Sequence, residues 1–136
     1  MSEKFTTEVP VRFRDLDPHD HVNHAVYASY IEAARIDYIE EVLGVRQQEA
    51  AFVIANLEID YKRPVTLDDE PIVELAVTDL GKSSCTMEYE ILTEDGVAAT
   101  AETTIVNTDA GTGRPEPLPD DIVTRISEFD GLTPPA

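Results

Sequence analysis

One segment constrains this chain more than any other. "AVYASYIEAARIDYIEEVL", Ala25 to Leu43, contains no proline and no glycine. Its first three turns place Val26, Tyr27, Ala28, Tyr30, Ile31, Ala33 and Ala34 on nearly every face of a helix. Asn23 stands where an N-cap is wanted, and Gly44 stands where the helix should stop. A helix that is apolar most of the way round has to be buried on more than one side. In a small domain, a sheet wrapped around the helix supplies that environment.

The flanking sequence supplies the sheet. From Phe5 to Phe13 the odd positions are mostly apolar and the even ones polar, which predicts a strand, with Pro10 marking an edge or a bulge. Val53, Ala55, Leu57, Ile59 and Tyr61 alternate with Ile54, Asn56, Glu58, Asp60 and Lys62. "PIVELAVTDL" and "SSCTMEYEIL" follow, the second with Cys85, Met87, Tyr89 and Ile91 on one face. "EDG" at Glu94 to Gly96 signals a hairpin turn into "VAATAETTIV". "NTDAGTGRPEPLPDD" reads as loop, and a short amphipathic helix follows with Ile122, Val123, Ile126 and Phe129 on one stripe. The order β-α-β-β-β-β predicts an α+β fold in which an antiparallel five-stranded sheet surrounds one long helix. With 136 residues and no internal repeat, a single domain over 1–136 is expected.

Charge narrows the partners. Ten basic residues against 28 acidic ones leave a net charge of −18. Such a surface repels DNA, RNA and anionic membranes, so neither nucleic acid nor membrane is expected as a partner. The acids are interleaved with apolar residues, which is the pattern of a folded acidic surface and not of a disordered tail. Lysine is scarce, at Lys4, Lys62 and Lys82, and this points to a halophilic setting in which salt screens the self-repulsion. No run is long enough to span a membrane, "MSEKFTTEVP" lacks a signal-peptide core, and the lone Cys85 pairs with nothing inside the chain. A cytoplasmic location is the resulting expectation. Cys85 sits mid-strand without a histidine near it in sequence, as a buried structural thiol would.

The chemistry concentrates in "RDLDPHDHVNHAVY", Arg14 to Tyr27, at the mouth of the core helix. No G-x-S-x-G elbow, P-loop or G-x-G-x-x-G is present. Pro18 pushes Asp17 away from helical geometry and stiffens its turn. The helix start beyond it offers free N–H groups and a partial positive charge, which suit the oxyanion of an attacked carbonyl. A thioester needs little more, because its thiol leaves without a strong general acid. One carboxylate as nucleophile or base would complete the machinery. The same spacing also suits Asp17 and Asp20 as plain turn and cap residues.

"RFRDLDPHDHVNHAVYASYIEAAR", Arg12 to Arg35, resembles the signature of the hotdog-fold acyl-CoA thioesterases of the 4-hydroxybenzoyl-CoA thioesterase type. The resemblance implies hydrolysis of acyl-CoA thioesters, with Asp17 in the place of the family's catalytic carboxylate. His24 matches a recurrent histidine at the oxyanion-binding helix start, and Tyr27 a recurrent helix position. "YKRPV" at Tyr61 to Val65 is a further match. Lys62 and Arg63 are candidates for the coenzyme A phosphates, since basic residues are rare here. The resemblance implies no metal and no cofactor; His19, His21 and His24 would otherwise be the candidate ligands, and His21 is expected to hold the turn. Asp20 stands where the family usually has glycine. Aspartate tolerates the left-handed region better than most residues, so the turn should still form. The open sheet edge implies a homodimer or homotetramer. Two other classes remain open: a non-catalytic acyl-CoA-binding module, and a hotdog dehydratase or hydratase.

Overall fold

The computed structural model describes residues 4–46 and 51–135. The strands are β1 (Phe5–Glu8), β2 (Phe52–Tyr61), β3 (Ile72–Leu80), β4 (Ser84–Thr93) and β5 (Gly96–Asn107). They form one sheet in the order β1-β3-β4-β5-β2, and every neighbouring pair is antiparallel. Helix α1 (His24–Glu41) lies on it, and α2 (Asp120–Asp130) closes the far end. This is the α+β arrangement the pattern predicts and the hotdog fold the resemblance implies.

Alternation decides which side chains meet α1. Val73, Leu75 and Val77 of β3, with Cys85, Met87, Tyr89 and Ile91 of β4, point inward and are buried. They pack with Tyr27, Tyr30, Ile31, Ala34, Tyr38 and Ile39 of α1. Burial pushes the Cys85 thiol up to about 12, with Asp130 adding to the shift, so it stays protonated and serves as packing.

Two elements differ from the sequence reading. β1 ends at Glu8 instead of Phe13. Pro10 has no N–H to continue the ladder, and the chain turns into a short 3-10 segment, Phe13–Asp15. Burial of α1 is also one-sided: Ala25, Ser29 and Ala33 stay exposed. The helix packs mainly against β3 and β1, so most of the opposite edge of the sheet is left uncovered. Leu57 and Tyr61 of β2 are therefore 45% and 49% exposed despite their apolar character.

The end of α1 is locked by α2. Gly44 adopts a left-handed backbone (φ 69°). The Arg125 guanidinium crosses this glycine to donate to the Leu43 carbonyl, in the space a Cβ would need. Tyr38 OH donates to Asp130 Oδ2 at 2.6 Å, which ties the C-terminus of α2 to the core. No described helix is long and apolar enough to cross a membrane.

The outer face of the sheet concentrates the negative charge. Glu58 lies directly opposite Glu102, which lies opposite Glu88, and Glu74 lies opposite Glu90. Like charges so placed repel, and salt screens them. Lys4 reaches Glu90 at 3.6 Å, a partial relief at one corner. Glu102 faces a glutamate on both sides, so Glu102→Gln should stabilise the fold by up to about 1 kcal/mol at low salt. The gain should vanish in molar salt, where the wild type itself melts higher. Thermal melts of both proteins at low and molar salt check this; a wild-type melting temperature that does not rise with salt contradicts it.

Candidate active site

The turn before α1 is built by Asp17. Its N–H donates to the His21 carbonyl at 2.7 Å, and its own carbonyl accepts from the Asp20 N–H at 3.0 Å. Asp17 Oδ1 accepts from the His19 and His21 N–H groups at 2.8 and 3.1 Å. Asp20 takes the left-handed conformation (φ 62°), a strained place that aspartate tolerates better than most residues. His21 closes the turn through its backbone N–H and carbonyl.

These bonds set the carboxylate's charge. The His21 N–H holds the Asp17 carboxyl below the usual carboxylate range; partial desolvation opposes this, and the His19 N–H reinforces it. Asp17 Oδ2 has no partner among the described residues. The turn thus presents a fixed, ionised carboxylate with one oxygen free.

A second layer anchors the turn. Asp15 is buried, and its Oδ2 accepts from Tyr30 OH and from the Arg12 N–H, both at 2.9 Å. Its carbonyl accepts from the Asn23 N–H at 2.8 Å. Leu16 bridges Val22, and the Val22 N–H donates to Val65 O at 2.7 Å. The first aspartate of the D-x-D pair is therefore buried and structural, while the second is half-buried and keeps one carboxylate oxygen without a partner among the described residues.

The helix start supplies the donor. Asn23 Oδ1 accepts from the Ala25 N–H at 2.9 Å, and Asn23 O accepts from the Val26 N–H at 2.9 Å. The His24 N–H has no acceptor among the described residues. Capping thus leaves a free main-chain donor at His24, three residues beyond the turn that Asp17 closes.

The other expected residues gather here with differing exposure. Tyr27 is only 3% exposed, and its hydroxyl donates to Arg63 O at 3.4 Å. The accessible ring is that of Tyr61, which meets Tyr27 edge-on at 5.0 Å and His24 at 6.4 Å. Tyr61 OH donates to the His24 carbonyl at 2.9 Å. Lys62 and Arg63 follow at once, both exposed and without an ion pair among the described residues. Sequence reasoning places Tyr61 on a strand and assigns it no part in the site. Among the described residues, no three His, Cys, Asp or Glu side chains are grouped to hold a metal ion.

A carboxylate turn opening onto the core helix of a wrapped five-stranded sheet is the architecture of a hotdog-fold thioesterase. Residues 11–126 match the model of the Thioesterase-like superfamily, and the chain belongs to that family. It is 32% identical over 128 residues to the long-chain acyl-CoA thioesterase FadM of Escherichia coli, covering 90% of this chain and 97% of FadM. It is 28% identical over 127 residues to the acyl-CoA thioesterase YbgC of Haemophilus influenzae, covering 90% and 93%. A thioesterase of Thermus thermophilus, solved in complex with coenzyme A and Zn, superposes with a TM-score of 0.86 at 41% identity, covering 94% of this chain and 95% of that one.

Proposed function

We propose that the chain hydrolyses acyl-CoA thioesters to free acid and coenzyme A at the mouth of α1. The observation that carries this reading is a turn-locked, ionised Asp17 in the turn that leads into α1, whose first residue, His24, has an N–H without an acceptor among the described residues. Asp17 activates water or attacks the thioester carbon itself. The His24 N–H, backed by the helix dipole, holds the oxyanion. The thiolate leaves unassisted, since it is only weakly basic. The His24 ring orients water or thioester. Lys62 and Arg63 offer unpaired cations to the phosphates of the coenzyme, beside the Tyr27 and Tyr61 rings. The relatives' names support coenzyme A as the handle.

The working form in this reading is a homodimer or a larger homo-oligomer. Among the described residues the outer edge of β2 pairs with no strand, and Val53, Ile54, Leu57 and Tyr61 are exposed. A second copy pairing there would cover these side chains and the open side of α1. Both claims are tested by incubating the purified protein with a panel of acyl-CoA thioesters and titrating released thiol, with light scattering on the active sample. Thiol release by an oligomer is expected. Binding without release from any member of the panel would leave a non-catalytic acyl-CoA module, and an active monomer would remove the shared edge.

A further inference from the structure

We infer that Tyr61 is a positioning residue for the oxyanion donor, setting the orientation of the His24 main chain from the end of β2; this rests on the hydrolytic reading above. The His24 N–H belongs to the peptide joining Asn23 to His24, so its direction depends on how the planes on either side of the His24 Cα are held. On one side, Asn23 O, in the same peptide plane as the His24 N–H, accepts from Val26. On the other, His24 O accepts from Tyr61 OH at 2.9 Å. That carbonyl also faces its ordinary helical donor one turn on, so the phenol is an additional partner and not a rescue of an orphaned group. The Tyr61 ring is braced edge-on by Tyr27 at 5.0 Å and remains half-exposed. Its backbone is fixed opposite Ala99 in the sheet.

The fold has little use for this hydroxyl. A bond at a half-exposed residue competes with water and adds little to stability. An oxyanion donor, in contrast, is sensitive to small angular errors, because displacements well under an ångström weaken a hydrogen bond to the transition state. Tyr61 also ends the edge strand that would carry a second copy. The contact therefore links the register of that edge to the geometry of the site.

Tyr61→Phe keeps the ring and removes only the hydroxyl. We expect kcat to fall about 10-fold with KM within about twofold of wild type. The melting temperature should be unchanged within about 2 °C, because the lost bond is solvent-competed. Amide shifts in a ¹⁵N–¹H spectrum should change at residues 23–26 and little elsewhere. Asp17→Asn is measured beside it. A Tyr61→Phe kcat within twofold of wild type, beside an inactive Asp17→Asn, overturns the inference and leaves the hydrolytic reading standing. A kcat loss matched by a fall in melting temperature and widespread amide shifts also overturns it, in favour of a structural role. Wild-type rates in both variants would mean that the hydrolytic reading itself had failed.

Discussion

His24→Pro is expected to lower kcat by about 10²- to 10³-fold while the protein still folds, the loss that follows removal of one oxyanion donor. His24 is the first residue of α1, the helical position that proline tolerates best. Its N–H has no partner to lose among the described residues. Asn23 already holds the extended backbone (φ −60°, ψ 137°) that a following proline demands. The substitution therefore deletes one main-chain donor at small conformational cost. His24→Ala provides the contrast, since it removes the imidazole and keeps the N–H. It should cost far less, at the level of an orienting group. Steady-state kcat for both variants, with melting curves to confirm folding, separates the two roles. Equal losses in both would place the donor on the imidazole. A folded His24→Pro with wild-type turnover would remove the main-chain oxyanion site altogether.

Much of this site is legible in the sequence because its signals are local. Asn23 before an apolar run and Gly44 after it mark the ends of α1 within a few residues, since capping depends on adjacent groups. The Asp17-Pro18 pair implies a constrained turn, and the left-handed place of Asp20 is expected from the resemblance, which puts glycine there. What stays hidden depends on groups distant in sequence. Alternation in β2 shows which side chains share a face but not whether anything covers them. Leu57 is half-exposed because α1 packs mainly against β3 and β1, and Tyr61 is half-exposed because it meets α1 only at its first turn. The contact of Tyr61 with His24 spans 37 positions and leaves no periodic trace. The division of labour within D-x-D is set by tertiary packing, which buries Asp15. Its cause, Asp15 bonded to Tyr30, requires the fold.

The account rests on Asp17 as the reacting carboxylate, and Asp17→Asn measures this most directly. Asparagine keeps the side-chain oxygen that accepts from His19 and His21, so the turn should survive. It loses the charge, the basicity and the nucleophilicity. Because backbone donors hold the Asp17 carboxyl below the usual range, the wild type carries the ionised form at about pH 5 as fully as at about pH 8. The ratio of wild-type to variant turnover should therefore be the same at both. The measurement is steady-state release of coenzyme A thiol from the best acyl-CoA substrate at these two pH values, with acyl-CoA binding and melting temperature determined in parallel. The expected result is a loss in kcat of at least about 10²-fold at each pH, with binding and folding retained. A folded Asp17→Asn that releases thiol at near the wild-type rate would contradict the account.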